Sequence, residues 1–190
     1  MSKMGTYSCN GQSTNRDISD YIRLLGINIE DLKGKSVLDI GASYGKFQKE
    51  CKEKHGIDVI ALDPSYVHNG ELKKYLEFTE NRKNKIAGIN ESLPFIQNSF
   101  DVVLCNFSSF FYICDNYPNI KHRLKMAEQM FKEIFRVLKS RGEARIGGIP
   151  EIMYNRQIYE SILKQIKKQF NSKIDWKFVE EPDYLILYRD

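Results

Sequence analysis

The chain is poor in the residues that build metal centres, disulfide frameworks and membrane spans. Its four cysteines (Cys9, Cys51, Cys105, Cys114) form no Cys-x-x-Cys pair, and its three histidines (His55, His68, His122) are scattered. A structural zinc site needs clustered soft ligands, so no metal is expected, and in a reducing compartment the thiols stay free. No apolar run reaches the roughly 18 residues that suggest a membrane helix. Residues 1–15 lack the apolar core of a secretory signal, so the expected location is cytoplasmic, without a membrane partner. Charge of one sign is also scarce: 29 Lys+Arg against 25 Asp+Glu leave +4. Where charges crowd they alternate, as in Lys49, Glu50, Lys52, Glu53 and Lys54, which marks a solvated helix face rather than a phosphate track. Nucleic acid is therefore not the expected partner. Repeats and low-complexity linkers are missing too.

What is present suits one globular domain. The 190 residues are 42% hydrophobic and 28% charged, enough for a sizeable core. Residues 1–15 read as a flexible N-terminal arm and 16–190 as a single domain. Ile18, Tyr21, Ile22 and Leu25 fall at helical spacing, closed by Gly26. An alternation follows: a strand over Ser36–Ile40, a helix from Gly45 to His55, and a strand over Ile57–Leu62. Then come a polar helix over Gly70–Glu80 and strands over Lys85–Ile89 and Phe100–Cys105. A long helix over Ile120–Leu138, broken by Arg141-Gly142, carries Met126, Met130, Ile134 and Leu138 on one stripe. A strand over Glu143–Ile149, a helix over Tyr154–Phe170 and strands over Ile174–Val179 and Tyr184–Tyr188 complete the chain. This pattern predicts an α/β fold: a seven-stranded, mostly parallel open sheet with helices on both faces and an antiparallel last strand. Cys105, inside an apolar run, reads as a small core residue.

In such sheets ligands bind at the carboxyl ends of strands where the strand order reverses. The first strand runs into Asp39-Ile40-Gly41-Ala42-Ser43-Tyr44-Gly45. Three readings compete for that turn. A dinucleotide wants Gly-x-Gly-x-x-Gly, and Gly41-x-Ser43-x-x-Lys46 fails at two of the three glycines. Asp39 would repel a pyrophosphate and suit a cationic group. A plain strand-to-helix turn needs no ligand at all. Asp63 closes the next strand, where a carboxylate can accept both ribose hydroxyls of an adenosine. Before Pro64 it is equally an ordinary turn former.

The ordered set Val37-Leu38-Asp39-Ile40-Gly41, Ala61-Leu62-Asp63-Pro64, Leu93-Pro94-Phe95 with Ser99-Phe100-Asp101-Val102-Val103, and Phe131 through Lys139 resembles the class I S-adenosylmethionine (SAM)-dependent methyltransferases. The likeness covers about residues 32–149. It implies a Rossmann-like fold and SAM as cofactor. Asp39, Gly41, Ala42, Ser43 and Gly45 would hold the methionine end, and Asp63 the ribose. Pro64 and Ser65 would lie near the adenine, with Asn90 and Glu91 edging it, and Asn106 and Phe107 would face the transferred methyl. Ser43 replaces the second loop glycine, which requires it to avoid positive φ. Ile89 stands where the family often has an acid for the adenine amine. Asn106 is followed by Phe107-Ser108-Ser109 rather than Pro-Pro-Tyr, which lowers nucleobase methylation.

Methyl transfer to a small-molecule acceptor through an oxygen or nitrogen nucleophile is the expected activity, by a monomer or homodimer. The alternatives are an RNA or protein methyltransferase and a non-catalytic methyltransferase-like scaffold; a nicotinamide oxidoreductase is disfavoured by the loop. Tyr112 and His122 are candidate bases, and Asp115 and Glu151 candidates for orienting an amine. The aromatic stretch Phe107–Tyr117 reads equally as an acceptor pocket or as a helix capping the sheet. Tyr7 of the arm and Arg16 just beyond it are candidates for a lid over the cofactor.

Overall fold

A computed structural model describes residues 15–67, 84–110, 113, 117, 119–148, 156–170, 173–181 and 183–190. Its elements, in chain order, are α1 (Ile18–Leu25), a 3-10 turn (Ile29–Leu32), β1 (Val37–Ile40), α2 (Lys46–His55), β2 (Val59–Leu62), a second 3-10 turn (Pro64–Val67), β3 (Lys85–Ile86) and β4 (Phe100–Asn106). They continue with α3 (Ile120–Val137), β5 (Leu138–Gly147), α4 (Arg156–Gln169), β6 (Ile174–Val179) and β7 (Tyr184–Arg189). The expected helix over Gly70–Glu80, the arm up to residue 14 and Pro182 lie outside the described residues.

The sheet order is β3-β2-β1-β4-β5-β7-β6. β1 pairs parallel with β2 (Ile40↔Leu62) and with β4 (Asp39↔Leu104), so the order reverses between β1 and β4. β7 runs antiparallel between β5 and β6, as a strand joined to its neighbour without a crossover helix must. The expected seven-stranded mixed sheet is therefore present.

Alternate strand residues point to opposite faces, and two cores form accordingly. Val37, Val59, Val102 and Leu104 pack under α1 and α2 with Tyr21, Leu25, Phe47 and Cys51. Leu38, Leu62, Val103 and Cys105 pack under α3 and α4 with Met130, Phe131, Ile134, Phe135, Leu163 and Ile166. Asp39 and Asn106 share parity with the first set, and that places them on the α1/α2 side.

Local expectations needed correcting in four places. Ile22 is exposed, and only Ile18, Tyr21 and Leu25 of its stripe are buried. α3 ends at Val137 and β5 begins at once, with Leu138 beside Phe100; the excess residues, including Arg141 at φ 63°, form an irregularity inside the strand. Hence Arg141-Gly142 breaks the ladder rather than the helix. β3 stops at Ile86, because Ile89 turns back to bridge Ser92. β2 begins at Val59, not Ile57.

Candidate functional site

The loop from β1 to α2 is bound to its neighbours on every side. The Gly41 and Ala42 amides donate to the Leu62 carbonyl, at 2.7 and 3.2 Å, and Gly45 donates to Ala42 at 2.8 Å. Ser43 donates its amide to Asp63 Oδ2 at 2.9 Å, while its carbonyl accepts the Tyr66 hydroxyl at 2.6 Å. Gripped at both ends, Ser43 adopts φ 49°, against the expectation that a serine here would avoid the left-handed region. Gly45 (φ 75°) opens α2 without a side-chain cap, which leaves the first helical amides open to an acceptor.

Gly41 has a steric role within the fold. At φ 71° an added Cβ would stand 2.2 Å from Ser108 Cβ, and the Ser108 hydroxyl donates to the Ile40 carbonyl at 2.7 Å. The glycine therefore makes room for the β4 loop.

α1 crosses above this loop. Asp17 caps it in a reciprocal pair with Asp20 and forms an ion pair with Lys46 of α2 at 3.0 Å, and the Ile18 amide donates to Glu50 at 3.1 Å. So anchored, the Tyr21 ring stacks on Phe47, with centroids 3.8 Å apart, and its hydroxyl lies 2.8 Å from both oxygens of Asp39. Asp39 is fully buried. Burial pushes its pKa up to about 8, with the Tyr21 hydrogen bond pulling down, Asp63 pushing up and Arg16 pulling down. A buried carboxyl that waits for a positive charge is what a cationic group would find.

At the carboxyl ends of β4 and β3 lie atoms with unmet hydrogen-bonding capacity. Asn106, 1% exposed at the end of β4, has neither Oδ1 nor Nδ2 paired among the described residues. The turn after β3 holds Asn90 and Glu91, both buried. Asn90 Nδ2 and Glu91 Oε2 have no partner among the described residues, while Glu91 Oε1 accepts the Tyr117 hydroxyl at 3.1 Å. Burial raises the Glu91 pKa. Glu133 of α3 secures this turn through the Leu93 amide, and Arg136 through the Leu93 and Phe95 carbonyls. Phe107 sits at φ 54°, and the Arg16 guanidinium lies 5.2 Å from the centre of its ring.

The described part of the aromatic stretch is only partly core. Phe110 and Ile113 are core residues, Phe110 packing edge-on against Phe131 and Tyr159, while Phe107 and Tyr117 border the site. Phe111, Tyr112, Asp115 and Glu151 lie outside the described residues, as do Tyr7, His68, Cys9 and Cys114. Cys105 is a core thiol, as expected. His122 is exposed in the first turn of α3; its amide and ring both meet Asn119 at the cap, and nothing described joins it to the loop residues. Tyr21, Tyr66, Lys85 and Ser108 were not singled out from sequence, yet each supports the loop. Lys85 donates to the Tyr44 carbonyl at 3.1 Å.

These residues fit a ligand with a cationic amino-acid end and a nucleoside end. The buried acid, the bare amides at α2 and the orphaned atoms of Asn106 lie at the β1/β4 reversal, and those of Asn90 and Glu91 follow β3 at the same, carboxyl end of the parallel strands. Among the described residues, no helix is long and apolar enough to cross a membrane and no metal-binding cluster occurs.

Comparison with known proteins agrees. Residues 38–146 match a family model described as a methyltransferase domain. A sarcosine/dimethylglycine N-methyltransferase of Aphanothece halophytica is 29% identical over 166 residues, covering 77% of this chain and 53% of that protein. The chain spans about half the length of the curated relatives it matches. Of solved structures, a Pyrococcus horikoshii protein aligns with a TM-score of 0.59 at 20% identity, covering 97% of this chain and 94% of that one. A SAM-dependent methyltransferase from Aquifex aeolicus aligns at 0.53 and 19%, covering 91% and 93%. By its family match, its strand order and its glycine loop, the chain belongs to the class I SAM-dependent methyltransferases.

Proposed function

We propose that the chain transfers the methyl group of SAM to a small-molecule acceptor through a nitrogen or oxygen nucleophile. The carrying observation is the set of buried polar atoms without a partner among the described residues that follow β3 and end β4 at the carboxyl end of the parallel strands: Asn90 Nδ2, Glu91 Oε2 and both carboxamide atoms of Asn106. Each costs about 1–3 kcal/mol if left unmet, so a polar ligand is the natural completion of the site. Asp39, the Gly41–Gly45 loop and the uncapped first turn of α2 would hold the methionyl end, Asp63 the ribose, and Asn90, Glu91 and Pro64 the adenine. Asn106 and Phe107 would border the reacting atoms. Bound SAM supplies an already activated methyl, so alignment and exclusion of water contribute most of the acceleration. An amine acceptor that arrives unprotonated needs no dedicated base. The N-methylglycine acceptors in the name of the Aphanothece halophytica relative support a small amine.

Native mass spectrometry of the purified protein, with calorimetric titration of S-adenosylhomocysteine, tests the cofactor. SAM or its demethylated product is the expected passenger, and a nicotinamide dinucleotide would overturn the proposal. Methyl-labelled SAM offered with small amines, small hydroxyl compounds, RNA and protein tests the acceptor; label found only on the macromolecules overturns that part.

A further inference from the structure

Arg16 directly precedes the cap of α1, and its half-buried guanidinium reaches the carboxyl end of β4. One N–H donates to the Asn106 carbonyl at 2.9 Å, and the fork is held over the Phe107 ring. The neighbouring acids are engaged elsewhere. Asp17 pairs with Lys46 and Asp20 with Arg23, and both oxygens of Asp39 meet the Tyr21 hydroxyl. No acid among the described residues forms an ion pair with Arg16. Burial accordingly lowers its pKa, while Tyr21, Asp20, Cys105 and Asp39 act in the opposite direction. A guanidinium has five donors in a planar fork that matches a carboxylate, and a half-buried charge without a counterion is costly. Beside it stands the Asn106 carboxamide with both polar atoms unmet, and Asp39 lies within electrostatic reach. A cation fork, an amide and a buried acid together complement an α-amino-acid group.

We infer that Arg16 is a carboxylate-binding residue of this site, receiving the carboxylate of an amino-acid group. The inference rests on the methyl-transfer proposal above. Two molecules of that reaction can carry the group: the cofactor, through its methionyl end, and an amino-acid acceptor.

Paired titrations on wild type, Arg16→Gln and Arg16→Lys separate the sources. S-adenosylhomocysteine is compared with 5′-methylthioadenosine, which lacks the amino-acid group. Glycine is compared with methylamine, each titrated into the S-adenosylhomocysteine complex. Loss of about 10- to 100-fold in S-adenosylhomocysteine affinity in Arg16→Gln, with 5′-methylthioadenosine unchanged and Arg16→Lys intermediate, assigns the cofactor's carboxylate. Loss of a glycine preference, with both nucleosides unchanged, assigns the acceptor's. Equal weakening of both nucleosides, or no change in any titration, overturns the inference. Wild type that fails to bind S-adenosylhomocysteine instead refutes the cofactor proposal.

Discussion

The Asp63 carboxylate accepts the Ser43 amide at 2.9 Å and thereby helps to hold a non-glycine residue at φ 49°. An L-residue pays about 1–2 kcal/mol for that conformation, and glycine avoids it at an entropic cost of about 0.5–1 kcal/mol. Ser43→Gly is therefore expected to leave thermal stability level or raised by up to about 1 kcal/mol. Ser43→Val should lower it, because a branched Cβ suits that region worst. Thermal melts of the three proteins decide; a valine variant as stable as wild type would show that the loop is free to change its backbone.

Asp63 has two duties under the proposed function, and substitution separates them. Asp63→Ala removes both the ribose acceptor and the Ser43 clamp, so S-adenosylhomocysteine affinity should fall by about 10- to 150-fold and the melting temperature with it. Asp63→Asn retains an acceptor oxygen for the Ser43 amide, so its melting temperature should stay near wild type while affinity falls less. SAM and its demethylated product should respond alike. An unchanged dissociation constant in Asp63→Ala removes the ribose assignment.

Tyr21→Phe keeps the ring on Phe47 and deletes only the donor to Asp39. Loss of that hydrogen bond should cost about 1 kcal/mol, or about 2–4 °C in a domain of this size. Since the hydroxyl pulls the Asp39 pKa down, its removal moves that pKa further up. Cofactor affinity at pH 7 should then fall and recover in more alkaline buffer. Equal loss at every pH would mean that Tyr21 acts through packing alone.

Asp39 also sets the direction of a pH effect on stability. Its pKa in the fold is raised from 3.8 to about 8, so between those values the folded chain retains a proton that the unfolded chain has lost. Its contribution therefore declines as pH rises from about 4 to 8 and is level beyond. Asp39→Asn should flatten that part of the profile and melt above wild type at pH 9, because no buried charge remains. Urea titrations from pH 5 to 9 measure it, and parallel profiles for the two proteins would contradict the assignment.

Gly41→Ala places a Cβ 2.2 Å from Ser108 Cβ and 2.3 Å from its Oγ. Overpacking and left-handed strain together should cost about 2–5 kcal/mol, before any ligand is considered. Gly41→Ala combined with Ser108→Gly should recover the packing part and leave the backbone part. If the double variant is no more stable than Gly41→Ala alone, the glycine is required for something other than Ser108.

Much of this molecule follows from local pattern. Short apolar runs ended by Asp, Gly or Asn mark β1, β2 and β4, and those same terminal residues, Asp39, Gly41, Asp63 and Asn106, are the ones that meet at the sheet's reversal point. Parallel pairing through crossover helices then brings the strand ends to one edge of the sheet. The supporting side chains carry no such signal. Tyr21 reaches Asp39 across 18 positions, Tyr66 reaches Ser43 across 23, Lys85 reaches Tyr44 across 41 and Ser108 reaches Ile40 across 68. In sequence Tyr21 is one more apolar member of a helical stripe, and Ser43 a glycine replaced at random.

Element order, sheet class and the identity of the strand-end residues were thus determined by the sequence itself, because each depends on residues within one turn or one strand of each other. The tertiary structure alone decided that Ser43 is held at positive φ, that Gly41 yields to Ser108, and that Arg16 and Tyr21 converge with Asp39 and Asn106. Those outcomes depend on helix docking and strand register, where a shift of one residue exchanges the two faces of a strand.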